Sequence, residues 1–290
     1  MIEPSAGAIR PFEKAFWVLF TFGILIRLVA INQPLLDAHL VRQAQTADWT
    51  YHALQEPGFP LSAEVSWRGD TPARLVLEFP AFNYVVMLIA GVVPSLDAAG
   101  KLASILFWAA SFAVLQNIWA RLLTPRQTFW ANLLFVLAPL SVFFGQAFMP
   151  EMCIQFLAFC MLTGLLLYRE TGAVRHYALF AGAGLLGLVV KSLEITHLYA
   201  VALIVFWQRE GAKLFLKPHH WIGGMITLAG LFLWVHYVDG VNRAFFPEWT
   251  ATELSHQFLG TWQQRLNWHF YFKIAAYLAA FVAGPIGLIV

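Results

Sequence analysis

The chain is a succession of long apolar runs separated by short polar breaks. Mostly hydrophobic stretches lie near 15–32, 100–120, 127–147, 152–168, 176–191, 194–207, 220–237 and 272–290, each bounded by charge, proline or glycine. A helix of about 20 mostly apolar residues crosses a bilayer. The pattern therefore predicts an all-α integral membrane protein with about eight transmembrane helices. A shorter run, 82–93, is interrupted by Asn83 and Gly91 and closed by Pro94. Its length predicts a juxtamembrane helix rather than a crossing. Two long connections remain, 33–99 and 239–271, and connections of that length tend to carry function. The sequence has no internal repeat, low-complexity tract or flexible linker.

Composition agrees. Of 290 residues, 60% are hydrophobic and only 12% charged, about half the charge of an ordinary soluble domain. That excludes a water-soluble globular domain. A net charge of +2 gives no reason to expect nucleic acid as a partner. The distribution of the basic residues is more informative. With 82–93 kept out of the bilayer, Arg121 and Arg126, Arg169 and Arg175, and Arg209, Lys213 and Lys217 all fall on one side. Lysine and arginine concentrate in cytoplasmic loops. The N-terminus is thus expected in the cytoplasm and 33–99 and 239–271 outside, in a multi-pass protein of the plasma (inner) membrane. Arg10 and Lys14 precede the first run, but no small-residue cleavage site follows, so this run reads as an uncleaved span. The last run reaches Val290 with no closing loop, the pattern of a truncated chain. Cys153 and Cys160 lie seven residues apart in one apolar run, about two turns apart and too far for a disulfide. They read as small core residues.

Three stretches on the expected outer side carry ionisable groups. The first is Asp37-Ala-His39-Leu-Val-Arg42-Gln43, just after the first span. On a helix His39 and Arg42 share a face. A carboxylate beside His and Arg suits proton abstraction from an acceptor and anchoring of a phosphate. A solvated interfacial helix accounts for the same residues equally well. The second is Glu78-Phe79-Pro80-Ala81-Phe82-Asn83-Tyr84, the third Met149-Pro150-Glu151. Acids at these positions also serve as ordinary helix-start residues. Glu151, flanked by long apolar runs, is costly to hold there, which favours a functional reading. Lys101 and Lys191 at outer turns suit either a lipid phosphate or snorkelling to the interface, and Glu194 is placed to pair with Lys191. The second outer connection holds His256 amid Trp249, Trp262 and Trp268. Glu78 and His256 form a possible metal pair that no close-spaced ligand motif reinforces. Walker loops, GxSxG elbows and GxGxxG turns are all absent from the sequence.

Taken together and in order, these motifs resemble the GT-C membrane glycosyltransferases. The likeness is to family-39-type enzymes, which include protein O-mannosyltransferases and lipid A aminoarabinose transferases. Relatives carry Asp-x-His-x-x-Arg-Gln-x-x-Thr-Ala after the first span, here Asp37 to Ala47. They carry Glu-Phe-Pro before a juxtamembrane helix, here Glu78 to Pro80, and Met-Pro-Asp/Glu after the third span, here Met149 to Glu151. A later lysine corresponds to Lys191. Ala38 stands where several relatives have Glu, and Glu151 where many have Asp. Family members are longer, so this chain would be the N-terminal part of such a fold. The resemblance implies inverting transfer of a sugar from a polyprenyl-phosphate donor to a lipid, glycan or protein acceptor of the cell envelope. It implies Asp37 as base, with Glu78 and Glu151 orienting the acceptor or holding a divalent ion. His39, Arg42, Lys101 and Lys191 are its candidate substrate contacts. A transporter or flippase for a lipid-linked or polar substrate, and a non-catalytic membrane relative, are the competing readings. A transporter predicts charges at mid-membrane and inverted repeats.

Overall fold

A computed structural model describes residues 9–29, 31–35, 39–69, 71, 73–247, 267–269 and 271–272. The chain divides into two compact units, Met1–Trp234 and Val235–Val290. Helices dominate the first: α1 (Ile9–Leu28), α2 (Leu40–Ala53), α3 (Ala81–Ala90), α4 (Leu96–Leu122), α5 (Pro125–Leu137), α6 (Pro139–Phe144), α7 (Glu151–Thr171), α8 (Val174–Glu210) and the start of α9 (Pro218–Phe245). Among the described residues one antiparallel strand pair, β1 (Ala63–Glu64) with β2 (Arg74–Leu75), interrupts the first long connection. The second unit contributes the last turns of α9, where Arg243 approaches Asp239 at 3.7 Å, and a short stretch in which the rings of Trp268 and His269 lie 3.8 Å apart.

Local sequence explains the helix ends. Ser95 caps α4 by accepting from the Ala98 amide, with Asp97 in the first turn. Thr124 and Gln127 form a reciprocal capping box on α5, and Pro125 occupies its first position, where a missing N–H costs nothing. Gly172 closes α7 at φ 70°, a left-handed conformation open to glycine without a Cβ penalty.

Among the described residues four segments are long and apolar enough to cross a membrane: α4, α7, Val174–Lys191 of α8, and α9. This is compatible with a multi-pass membrane protein. Exposed Trp221, Ile222, Met225 and Phe232 on α9 suit a lipid-facing surface. The expected span 15–32 is α1, which includes Arg10, Glu13, Lys14 and Arg27. The expected span 127–147 is broken into α5 and α6. Pro139 has no N–H to donate back, and Ala138 leaves the helical region at φ −55°, ψ 128°. Buried Arg27 fills this break. It donates to Ser141 Oγ at 2.9 Å and to Val136 O at 3.4 Å, and its guanidinium lies 3.8 Å from the Trp108 ring centroid. The run 82–93 contains only the ten-residue α3, about 15 Å long and too short to cross. The span expected at 272–290 falls outside the described residues, except for Phe272.

The expected spans 176–191 and 194–207 form one helical hairpin. Lys191 departs from helical geometry at φ −159°, ψ 85°, and the two arms fold back on each other there. A Cβ added at Gly187 would lie 2.7 Å from Ile195, and one at Gly184 would lie 2.4 Å from the Tyr199 hydroxyl. The Phe180 and Phe206 rings meet across the arms at 5.3 Å. The hairpin packs on α7, and at Gly164 the approach is closest. A Cβ there would sit 2.6 Å from the Phe180 backbone nitrogen. Gly164→Ala is therefore expected to push α7 and α8 apart and cost about 1–3 kcal/mol, seen as a lower unfolding temperature. An unchanged temperature would contradict this packing.

At the end of the hairpin away from Lys191, a 3₁₀ elbow (Gly211–Leu216) leads into α9. Glu210 ties it shut. Its carboxylate accepts from Lys217 at 2.6 Å, from Tyr168 of α7 at 2.5 Å and contacts His220 at 2.9 Å. Burial alone would raise its pKa, but the bonds from Lys217, Tyr168 and His220 outweigh this and hold it down to about 2. The folded chain thus binds this proton less readily than the unfolded one, whose value is 4.5. The stability contributed is full above about pH 4.5 and fades as pH falls toward 2. Glu210→Gln is expected to flatten acid destabilisation in that window; an unaltered acid limb would exclude the elbow as its source.

Candidate functional site

The site is built where three distant segments meet at the Lys191 end of the hairpin. Glu151 is the first residue of α7, placed there by the preceding Pro150. Lys191 forms the hairpin tip and reaches Glu151 Oε1 at 2.9 Å and Glu194 at 2.6 Å. The Phe79 amide donates to Val189 O at 3.0 Å, which lays the 77–80 segment against that tip and brings Glu78 into range. Glu78 pairs with Arg42 of α2. Thus Glu78, Glu151, Lys191 and Arg42 come from four separate segments.

Glu78 is the electrically unusual member. Burial raises its pKa above the ordinary glutamate value; Arg42 and Lys191 pull it down, while Glu151 and Glu194 push it up. A carboxylate poised in this way suits proton chemistry nearer neutrality than an exposed glutamate. Glu151 adds a second feature: its Oε2 is buried without a hydrogen-bond partner, as is Gln155 Oε1 one turn along the same face. Acceptors left open in this way favour a donor-bearing ligand or ordered water.

Beside Arg42 and Glu78 lies a narrow cleft of about 30 Å³, room for one water, lined by Thr46, Trp49, Trp67 and Asn83. Trp49 donates to Leu75 O at 3.2 Å, and Asn83 to Thr50 Oγ1 at 2.8 Å. These bonds join α2, the strand pair and α3 into one layer. Gln43 links that layer to the 146–149 segment, accepting from the Phe148 amide at 2.9 Å. Trp49 and Gln155 belong to no motif of the sequence, and Gln43, though inside the Asp37–Ala47 motif, is not marked there as the partner of the Phe148 amide.

The remaining expected residues behave differently. His39 does not share a helix face with Arg42. It precedes α2 in a left-handed conformation, φ 62°, and its ring lies 6.0 Å from those of Phe143 and Phe144. Lys101 is buried and donates to Gln33 O at 2.5 Å, so it pins α4 to the start of the first connection. Asp37 and His256 lie outside the described residues. Among the described residues no group of three or more His, Cys, Asp or Glu side chains is arranged to hold a metal, and Glu78 is engaged by a guanidinium. The possible Glu78–His256 pair falls partly outside the described residues, and no step is derived through a metal. Cys153 and Cys160 are free thiols. Comparison with protein-family models, curated proteins and solved structures finds no match.

Proposed function

We propose that the chain is a membrane glycosyltransferase of the GT-C, family-39-like type. It moves a sugar from a polyprenyl-phosphate donor to an acceptor hydroxyl or amine, with inversion, at the extracytoplasmic face of the inner membrane. In this reading the chain crosses about eight times with its N-terminus in the cytoplasm. The observation that carries it is the meeting of Glu78 and Glu151 around Lys191, with Arg42 alongside. A phosphate leaving group needs cations, and an attacking acceptor needs a carboxylate.

The acceptor oxygen or nitrogen attacks the anomeric carbon from the face opposite the phosphate. Asp37 takes its proton. The bond from the anomeric carbon to the phosphate oxygen breaks, and its electron pair leaves on polyprenyl phosphate. Arg42 is the first cation for that anion. When the phosphate draws Arg42 away, Glu78 is released to hold the acceptor. Glu151, fixed by Lys191, offers its open Oε2 as a second hydrogen-bond acceptor.

The test is transfer of labelled sugar from polyprenyl-phosphate mannose and aminoarabinose donors into envelope acceptors by the full chain in liposomes. Asp37→Asn is expected to lower transfer about 10²- to 10⁴-fold. Normal folding with unchanged transfer would remove the base assignment. Donor movement across the bilayer without any transfer would favour the flippase reading instead.

A further inference from the structure

The elbow after α8 gathers a second ionisable cluster, independent of sugar transfer. The Tyr168 hydroxyl sits at its centre. It gives its one proton to Glu210 Oε1 at 2.5 Å, so toward His219 Nε2, 2.8 Å away, it can only accept. His220 Nε2 faces Glu210 Oε2 at 2.9 Å and lies 3.3 Å from the same hydroxyl. A carboxylate oxygen only accepts, so this ring also carries a hydrogen on Nε2. Both imidazoles therefore hold the elbow through Nε2–H, and any further proton must go to Nδ1.

The surroundings accommodate one such proton and oppose a second. The two imidazole rings lie 4.4 Å apart. Among the described residues, the charged groups facing the cluster are Glu210 and Arg209 of α8 and Lys217 of the elbow, the two cations 3.9 and 2.6 Å from the carboxylate. Tyr168 of α7 and Tyr177 of the first arm of α8 add neutral phenols, the Tyr177 ring lying 5.0 and 4.8 Å from the two imidazoles. One carboxylate thus meets two fixed cations before either histidine is charged. His220 has that carboxylate within reach. His219 has only a hydroxyl, so a proton there stands beside His220 and Lys217 with no counter-charge of its own.

We propose that His219 is a proton-operated release of this clasp: a proton on its ring frees Tyr168 and lets the elbow and the start of α9 part from α7. In the open form the ring is in water and takes a proton as an ordinary histidine does, below about pH 6.5. The closed form resists that proton. The open population therefore rises about tenfold for each pH unit of acidification, until the closed form is protonated as well.

Amide hydrogen exchange of the purified full chain in detergent micelles, from about pH 7.5 to about pH 4.5, reads this opening by mass spectrometry. Corrected for intrinsic rates, protection of the 211–221 peptide is expected to fall about tenfold per pH unit below about pH 6.5, while α4 keeps its own. His219→Gln still offers Tyr168 an N–H but takes no proton, so its profile should be flat. His220→Gln removes the repelling neighbour and should keep a fall of smaller total size. A flat wild-type profile overturns the proposal, and so does a parallel loss in α4, which would mean global unfolding. A fall that survives in His219→Gln, or one that His220→Gln abolishes, overturns it too. Should His219→Gln fail to close at neutral pH, the His220→Gln profile decides between the two rings.

Discussion

Glu78→Gln is expected to slow sugar transfer about 100-fold and to remove the part of the acid limb that Glu78 contributes to its pH profile, leaving only the limb of the base Asp37. The side chains are nearly isosteric, so packing between α2 and the 77–80 segment is retained while the carboxylate is lost. The ionised form of Glu78 is the one that accepts a hydrogen bond from the incoming acceptor. Burial raises its pKa above the ordinary value, so wild-type kcat/KM should fall on the acid side at a higher pH than for an exposed glutamate. Below that pKa the carboxyl is protonated and the rate is low; above it the rate is full. The direction can be tuned. Lys191 lowers the Glu78 pKa through space, so Lys191→Met should move the limb to still higher pH. A limb left unchanged from wild type in Glu78→Gln, or one that Lys191→Met leaves in place, would take Glu78 out of the reaction.

The largest loss of stability is expected from Lys191→Met. Lys191 is the cation shared by Glu151 and Glu194 at the hairpin tip, at 2.9 and 2.6 Å, and the Glu151 side chain is only 15% exposed. Removing the ammonium leaves two neighbouring carboxylates without it, one of them mostly buried. Stranding a charge in this way costs about 2–4 kcal/mol once partial exposure is allowed for. Glu151→Gln removes the stranded charge, so the double variant should recover much of the loss. A coupling of about 1–3 kcal/mol in the cycle, read from equilibrium unfolding in mixed micelles, is the expected result. Strict additivity would show that the pair contributes nothing to holding α7 against the tip.

Much of the helical framework was legible in the order of residues. Apolar runs bounded by Pro, Gly and charge marked α4, α7 and α9, since a chain in lipid must satisfy its backbone within each segment. Caps such as Ser95 and Thr124, and Gly172 at the end of α7, act over one turn and need no partner elsewhere. For the same reason the run from Phe82 was recognisable as too short to cross. The pairing of Glu194 with Lys191 followed from local spacing as well.

What neighbouring residues could not convey was decided by contacts between distant ones. Whether 176–191 and 194–207 were separate helices or a hairpin depended on the two arms packing at Gly184 and Gly187. Lys101 and Lys191 looked alike in sequence, yet one is bound to a backbone carbonyl and the other to two carboxylates. His39 is separated from Arg42 by a left-handed turn that periodicity does not reveal. The partnership of Glu78 with Arg42, and the raised pKa that accompanies it, exist only because folding moves these groups from water into a crowded, weakly polar space. There the strength of each charge depends on what packs around it.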